Sequence, residues 1–192
     1  MSRLTDLIFF RNSHVCPRWL CFTFDNALRR LIHKPEKIVS GYIREGDVVL
    51  DVGAGIGYFT IPMAKMVGDK GRVIAADLQK SMLDGISKRA VKSGLEGRIV
   101  LRQSRSDSLN VGGKFNFILV FWMAHEVPNL RRFLGQLSNV LNNGGKLLLV
   151  EPKFHVSNEQ FAKIMETGRQ TGLVLTDQPS VALSRAALFS KR

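Results

Sequence analysis

The stretch VLDVGAGIGYFT, residues 49–60, joins an apolar run to a cluster of three glycines. The run has the length and the residue types of a buried strand, and a helical pattern follows the glycines. Gly53, Gly55 and Gly57 therefore lie in a strand-to-helix turn, where missing side chains let a ligand touch the backbone and helix amides point outward. The stretch predicts a site for a nucleotide-like ligand.

Two phosphate-binding alternatives fit these glycines poorly. The dinucleotide fingerprint GxGxxG requires a glycine where Tyr58 stands, and a P-loop requires a Gly-Lys-Ser/Thr ending that is absent. Instead, Asp51 comes shortly before the first glycine, and Asp77 ends the next predicted strand. A carboxylate such as Asp77 can accept both hydroxyls of a ribose, whereas Asp51 suits a ligand with a positive group better than a pyrophosphate.

From residue 47 onward, short apolar runs alternate with helical segments, which is typical of βαβ units around a parallel sheet. The predicted strands are 48–52, 72–77, 98–102, 115–121 and 146–151. The predicted helices are 35–42, 57–67, 79–93, 130–141 and 158–171. Two further strands, LVLTD and ALSRAALFS, are so close in sequence that they favour an antiparallel hairpin. We therefore expect a mixed α/β sheet of seven strands.

Two later segments add to the glycine stretch and the two aspartates. They are FNFILVFWMAHEVPN, residues 115–129, and LNNGGKLLLVEP, residues 141–152. In this order the set resembles the class I S-adenosylmethionine-dependent methyltransferases, whose corresponding patterns are FDxVxxxxxLHHVPD and LKPGGxLxxxEP. The resemblance covers residues 35–192. It implies a Rossmann-like mixed sheet in the order 3-2-1-4-5-7-6, with strand 7 antiparallel and helices on both faces, and S-adenosylmethionine as the cofactor.

The resemblance also implies which residues bind the cofactor. The methionine end would lie in a cradle formed by Asp51, Gly53, Ala54, Gly55 and Gly57. The ribose and adenine would be held by Asp77, Leu78 and Met82, with Ser106 and Asp107 near the adenine and Phe121 beside the methionine. Arg105 aligns equally well with the family's acidic residue at that point, and a plain turn at 106–107 is the structural alternative.

His125 and Glu126 follow the fourth predicted strand, at the sheet edge where open α/β folds bind ligands. Histidine titrates in the range useful for general acid–base catalysis, and an adjacent carboxylate could orient or charge it. We predict a catalytic or substrate-binding role for this pair. The alternative is that both residues cap or pack under the following helix.

Size and charge limit the function classes. The 192 residues fit a single domain, with 1–34 as an N-terminal extension whose aromatic residues either cover the acceptor site or cover apolar surface. The net charge of +12 is spread along the chain, which favours a solvated basic surface over a dense nucleic-acid-binding stripe. The sequence predicts no membrane-spanning helix, no signal peptide and therefore a cytoplasmic location.

The two cysteines, Cys16 and Cys21, do not form a disulfide framework. Together with His14 they offer three soft ligands, fewer than a structural zinc site needs, so we expect no metal.

The leading hypothesis from sequence is a methyltransferase that acts on a small-molecule acceptor by in-line displacement. One alternative is an RNA methyltransferase, which the positive charge favours. A second is a non-catalytic S-adenosylmethionine-binding protein. The acceptor, the atom methylated and the oligomeric state stay open at this stage.

Overall fold

A seven-stranded β-sheet with helices on both faces organises the chain. The computed structural model describes residues 32–192. The strands are β1 (Val48–Val52), β2 (Arg72–Asp77), β3 (Ile99–Gln103), β4 (Phe115–Phe121), β5 (Leu141–Pro152), β6 (Val174–Asp177) and β7 (Ser184–Ser190). The helices over this range are α1 (Pro35–Val39), α2 (Thr60–Met66), α3 (Lys80–Lys92), α4 (Leu130–Val140) and α5 (Asn158–Gln170), with 3₁₀ turns at Glu96–Arg98 and Ala124–Glu126.

The strand order is β3-β2-β1-β4-β5-β7-β6, as predicted. The first five strands pair in parallel, and β7 runs antiparallel to both β5 and β6. The strand order reverses between β1 and β4, since the chain builds outward from β1 on one side and from β4 on the other. In open α/β folds, ligands bind beyond the carboxyl ends of the strands at such a reversal.

The core lies on both faces of the sheet. Phe117, Leu119 and Phe121 of β4 pack on the face that α1 and α2 cover. Ile118 and Val120 point to the opposite face, which α4 and α5 cover. This division follows from the pleat, because successive side chains of a strand point to opposite sides. All five of these side chains are buried, so β4 is a central strand with apolar contacts on both sides.

Two elements start three or more residues away from their predicted starts, and α1 ends at Val39 rather than at residue 42. Helix α2 begins at Thr60 rather than at residue 57, because Gly57 has a φ of 89° and cannot belong to a right-handed helix. Strand β5 begins at Leu141, directly after α4, because Leu141 pairs with Phe115 ahead of a register shift. Residues 142–145, which lie between the predicted helix and the predicted strand, are thus an irregularity inside β5.

Some sequence predictions concern membrane spans, metals and the N-terminal segment. Within residues 32–192, no helix is both long and apolar enough to cross a bilayer. Over the same range, no three His, Cys, Asp or Glu side chains are grouped to hold a metal ion. His14, Cys16, Cys21 and the N-terminal aromatic residues lie outside the described residues.

Truncating a central β4 side chain is expected to destabilise the fold strongly. Leu119→Ala removes a fully buried side chain, and the cavity left behind costs about 2–5 kcal/mol. Val91→Ala, at an exposed position of α3, should change stability by less than about 0.5 kcal/mol. Urea denaturation of both variants measures the difference. Equal midpoints for the two variants would contradict the placement of β4.

Candidate functional site

The carboxyl ends of β1, β2 and β4 meet at one edge of the sheet, and three loops leave from it. The glycine loop, residues 53–59, connects β1 to α2, and the β4 loop, residues 122–129, connects β4 to α4. A third connection of only two residues joins β2 to α3. Most of the residues predicted to bind the cofactor or to act in catalysis lie on these loops and the strand ends beside them.

The glycine loop depends on backbone conformations that favour glycine. Gly53, Gly55 and Gly57 have φ values of 68°, 55° and 89°, all in the left-handed region. A Cβ on Gly53 would lie 2.8 Å from Cγ of Met123, whereas a Cβ on Gly55 would meet no atom within 4 Å. Gly53 therefore permits close contact with the β4 loop, and Gly55 faces open space that a ligand can approach.

Asp51 is buried at the end of β1, and its carboxylate accepts a hydrogen bond of 2.6 Å from Oγ1 of Thr60. Thr60 is the first residue of α2, so this bond joins the two ends of the glycine loop. Asp51 therefore has a structural role in the glycine loop. A carboxylate oxygen can accept more than one donor, so the bond to Thr60 is compatible with a ligand contact.

Asp77 ends β2, and each of its carboxylate oxygens accepts one backbone N–H. Gly55 donates to Oδ2 and Gln79 donates to Oδ1, both at 2.9 Å. Burial raises the pKa of the Asp77 carboxyl, and the backbone N–H groups of Gln79, Gly55 and Leu78 offset part of that rise. Asp77 therefore fixes the glycine loop from the neighbouring strand, and each oxygen keeps acceptor capacity for a hydroxyl group.

The remaining predicted cofactor residues separate into two groups. Ala54 is buried within the glycine loop, Phe121 is buried at the end of β4, Leu78 is exposed after β2, and Met82 is buried on α3. Ser106 and Asp107 form an exposed turn after β3, and the Asp107 carboxylate pairs with Arg132 of α4 at 3.2 Å. The structure thus brings the first group to the sheet edge, while the Asp107 side chain is held against α4.

The β4 loop is hydrogen-bonded to strands β5 and β7. Trp122 has a φ of 60°, an unusual conformation for a bulky residue. Its backbone N–H donates to the Val150 carbonyl at 2.8 Å, and its Nε1 donates to Oγ of Ser184 at 2.9 Å. Ala124 donates its N–H to Oε1 of Glu151 at 2.9 Å. These bonds hold the loop in one conformation.

His125 is paired with Glu151 rather than oriented by its sequence neighbour Glu126. Nδ1 of His125 is hydrogen-bonded to Oε2 of Glu151, and the two rings of His125 and His155 are stacked 5.7 Å apart. Burial lowers the pKa of the His125 imidazole, but the hydrogen bond and charge of Glu151 and the charge of Glu126 outweigh burial and raise it. The sequence predicted that an adjacent carboxylate orients or charges His125. The main partner is Glu151 rather than Glu126.

Glu151 is the site residue that the sequence analysis did not identify. It is fully buried at the end of β5. The signal was present in the Glu-Pro ending of LNNGGKLLLVEP, since β5 lies next to β4 in the predicted strand order. A polar residue at the carboxyl end of a strand adjacent to β4 has to lie near the β4 loop.

Comparisons with known proteins agree with this fold. The profile of a family described as "Methyltransferase domain" matches residues 43–183. A crystal structure of a SAM-dependent methyltransferase from Aquifex aeolicus superposes with a TM-score of 0.80 at 22% identity, covering 91% of this chain and 98% of that one. The fold is therefore that of a methyltransferase.

Curated relatives are similar over a shorter span. The ubiquinone/menaquinone biosynthesis C-methyltransferase UbiE of Francisella tularensis subsp. novicida is 31% identical over 121 residues, which are 62% of this chain and 48% of the relative. UbiE of Teredinibacter turnerae is 33% identical over 126 residues, 65% of this chain and 50% of the relative. The chain thus spans about half the length of the curated relatives it matches.

The family match covers more than half of the 192 residues. The chain belongs to the methyltransferase-domain family, within the class I S-adenosylmethionine-dependent methyltransferases that the motifs resemble. The resemblance inferred from the sequence is confirmed.

The contact between Gly53 and Met123 leads to a test of loop packing. Gly55→Ala should cost about 1–2 kcal/mol through its positive φ alone. Gly53→Ala adds a steric conflict with Met123, so it should cost about 1–3 kcal/mol more. Urea denaturation measures both losses, and Met123→Ala should recover part of the extra loss in a double variant. Equal stability of the two single variants would show that the loops do not touch.

The raised pKa of His125 leads to a pH-dependent stability. Because the folded state holds the imidazole proton more tightly than the unfolded state, this contribution is complete below the unfolded pKa of about 6.5. It is lost as the pH rises through the folded-state pKa. His125→Gln supplies a neutral donor to Glu151 at every pH, so the stability gap between wild type and variant should shrink from pH ~5.5 to pH ~9. A gap that is constant or grows in urea titrations would refute the shift.

Proposed function

We propose that this chain transfers a methyl group from S-adenosylmethionine to a small-molecule acceptor by in-line displacement. The observation that carries the proposal is the hydrogen bond from Gly55 to Asp77. It places a carboxylate that can accept the hydroxyls of a ribose next to the open glycine loop. The glycine loop contains no lysine or arginine to match a pyrophosphate. Membership in the methyltransferase family supports the same conclusion.

The residues at the sheet edge fit the chemical groups of this cofactor. Asp51 and the backbone of Gly53, Ala54, Gly55 and Gly57 would surround the methionine part, with Phe121 beside it. Asp77 would accept the ribose hydroxyls, and Leu78 and Met82 would lie against the adenine. The turn at Ser106 would lie near the adenine, while the Asp107 carboxylate pairs with Arg132. The open space next to Gly55 supports this assignment, since a side chain there would fill the position of the ligand.

The protein's share of the chemistry is to position the acceptor and to remove a proton from it. The cofactor supplies a methyl group on a sulfonium whose sulfur leaves with the bonding electron pair. As the acceptor atom forms its bond to the methyl carbon, His125 would take the proton that this atom loses, and Glu126 would lie beside the acceptor. Alignment of the acceptor accounts for much of the lowered barrier in such reactions.

The relatives' names suggest a class of acceptor. The UbiE proteins are C-methyltransferases of ubiquinone and menaquinone biosynthesis, so a small organic acceptor is the first to be tested for this chain. The net charge of +12 keeps RNA as the second candidate acceptor. Methyl transfer to RNA with a steep loss of binding in salt would favour that candidate. Cofactor binding without transfer to either class would favour a non-catalytic role.

Calorimetry tests the cofactor assignment. We expect binding of S-adenosylmethionine and no comparable binding of NAD or ATP. Asp77→Asn removes the charge while keeping the size of the side chain, and should weaken binding by about 10–100-fold, the range for hydrogen bonds to a charged group. Asp84→Asn is the matched control, because Asp84 is exposed on α3 and pairs with Lys80.

Two results would contradict the proposal. One is tight binding of NAD without binding of S-adenosylmethionine. The other is equal affinity of the Asp77→Asn and Asp84→Asn variants for S-adenosylmethionine. The single-domain organisation, the cytoplasmic location and the lack of a membrane partner stay predictions from the sequence.

A further inference from the structure

Glu151 is a buried carboxylate whose two oxygens both bond to one loop. Its side chain is 0% exposed at the end of β5. Oε1 accepts the N–H of Ala124, and Oε2 is bonded to Nδ1 of His125. An ionised carboxylate in such a place is costly unless it is paired and hydrogen-bonded. Among residues 32–192, the partners of the Glu151 carboxylate belong to the β4 loop, so the state of the carboxylate and the state of the His125 ring depend on each other.

The bond determines which nitrogen of His125 carries the proton. An ionised carboxylate only accepts hydrogen bonds, so Nδ1 has to be the donor. In the neutral imidazole one nitrogen is a donor and the other an acceptor, which leaves Nε2 as a bare acceptor. Nε2 lies on the side of the ring away from Nδ1, and the stacked His155 ring lies against the face of the ring rather than its edge. Nε2 is therefore the atom of His125 that can receive a proton.

The loop bonds keep the ring in this orientation. Ala124 is bonded to the same carboxylate, and Trp122 is bonded to Val150 and Ser184. His155 lies nearly parallel to His125, with an interplanar angle of 10°. The His125 side chain is 26% exposed, so it reaches the surface of the site while its Nδ1 side is covered.

We propose that Glu151 is a positioning residue for His125, which fixes the ring as the Nδ1–H form and leaves Nε2 free to accept the proton of the methyl acceptor. This inference rests on the proposed function for its catalytic meaning. A similar division of labour holds wherever a buried carboxylate orients a histidine base.

The two carboxylates near the His125 ring both favour its protonated form. Glu151 and Glu126 both raise the pKa of the His125 imidazole against the effect of burial, and His155 is the titratable ring stacked on it. The higher pKa makes the ring a stronger base. The neutral ring that can accept a proton is then populated as the pH rises through that pKa.

The test is nitrogen-15 NMR of the histidine rings in wild type and Glu151→Gln, with His125→Gln used to assign the His125 signals. The glutamine keeps one oxygen for Ala124 but places an amide N–H₂ toward Nδ1. We expect wild-type His125 to be the Nδ1–H form above its pKa, and Glu151→Gln to be mainly the Nε2–H form. The His125 pKa should fall by about one to two units, as expected for the loss of a charge-assisted hydrogen bond.

Glu166→Gln is the matched control, because Glu166 is exposed on α5 and pairs with Arg169. It should leave both the tautomer and the pKa of His125 unchanged. A merely structural role for Glu151 would lower stability without moving either signal, and that result would overturn the proposal. An Nε2–H form in wild type would overturn it as well.

Calorimetry with S-adenosylmethionine on the same variants separates the two proposals. Retained cofactor binding in Glu151→Gln together with the NMR changes supports the positioning role. If Glu151→Gln binds the cofactor but the tautomer and pKa of His125 do not change, the positioning role alone is rejected. If the wild type does not bind the cofactor, the proposed function alone is rejected.

Discussion

The parallel pairing of β1 with β4 is the constraint on which the rest of the site depends. The register runs from Val49 opposite Phe117 to Val52 opposite Val120, so both strands end at the same level. The loops that follow therefore leave the same edge and touch at Gly53 and Met123. Because the strand order reverses at this pair, the helices that follow the two loops lie on opposite faces of the sheet, α2 on one and α4 on the other. The glycine loop and the loop that carries His125 thus meet because of the strand order.

Three buried carboxylates stand at this edge, one at the end of each of three strands. They are Asp51 on β1, Asp77 on β2 and Glu151 on β5. Each accepts a hydrogen bond from a neighbouring loop or helix: from Thr60, from Gly55 and from Ala124, respectively. Buried carboxylates need such donors, so the acids set the loop conformations as well as offering chemistry to a ligand. Under the proposed function, the same three positions would therefore affect both stability and activity.

The fold was predictable because its signals are local and repeated. Apolar runs, helical spacing and the short connection before β7 defined seven strands, and the family motifs gave their order. The start of α2 was misplaced because helical spacing does not report φ, and the positive φ of Gly57 delays the helix. The partner of His125 was missed because the contact spans 26 positions in sequence, and only strand adjacency brings Glu151 to it. Asp107 shows the same limit, since its pairing with Arg132 depends on where α4 lies.

The last strand extends the site beyond the part of the chain that matches the family profile, which ends at residue 183. Ser184, the first residue of β7, accepts the bond from the Trp122 indole, and β7 flanks β5 from Lys146 to Pro152. The C-terminal hairpin thus supports the β4 loop, which lies about sixty positions earlier in the sequence. Under the proposed function, a substitution in this hairpin would change the position of the β4 loop through the bond between Trp122 and Ser184. Residues outside both loops would in this way affect how the acceptor is held.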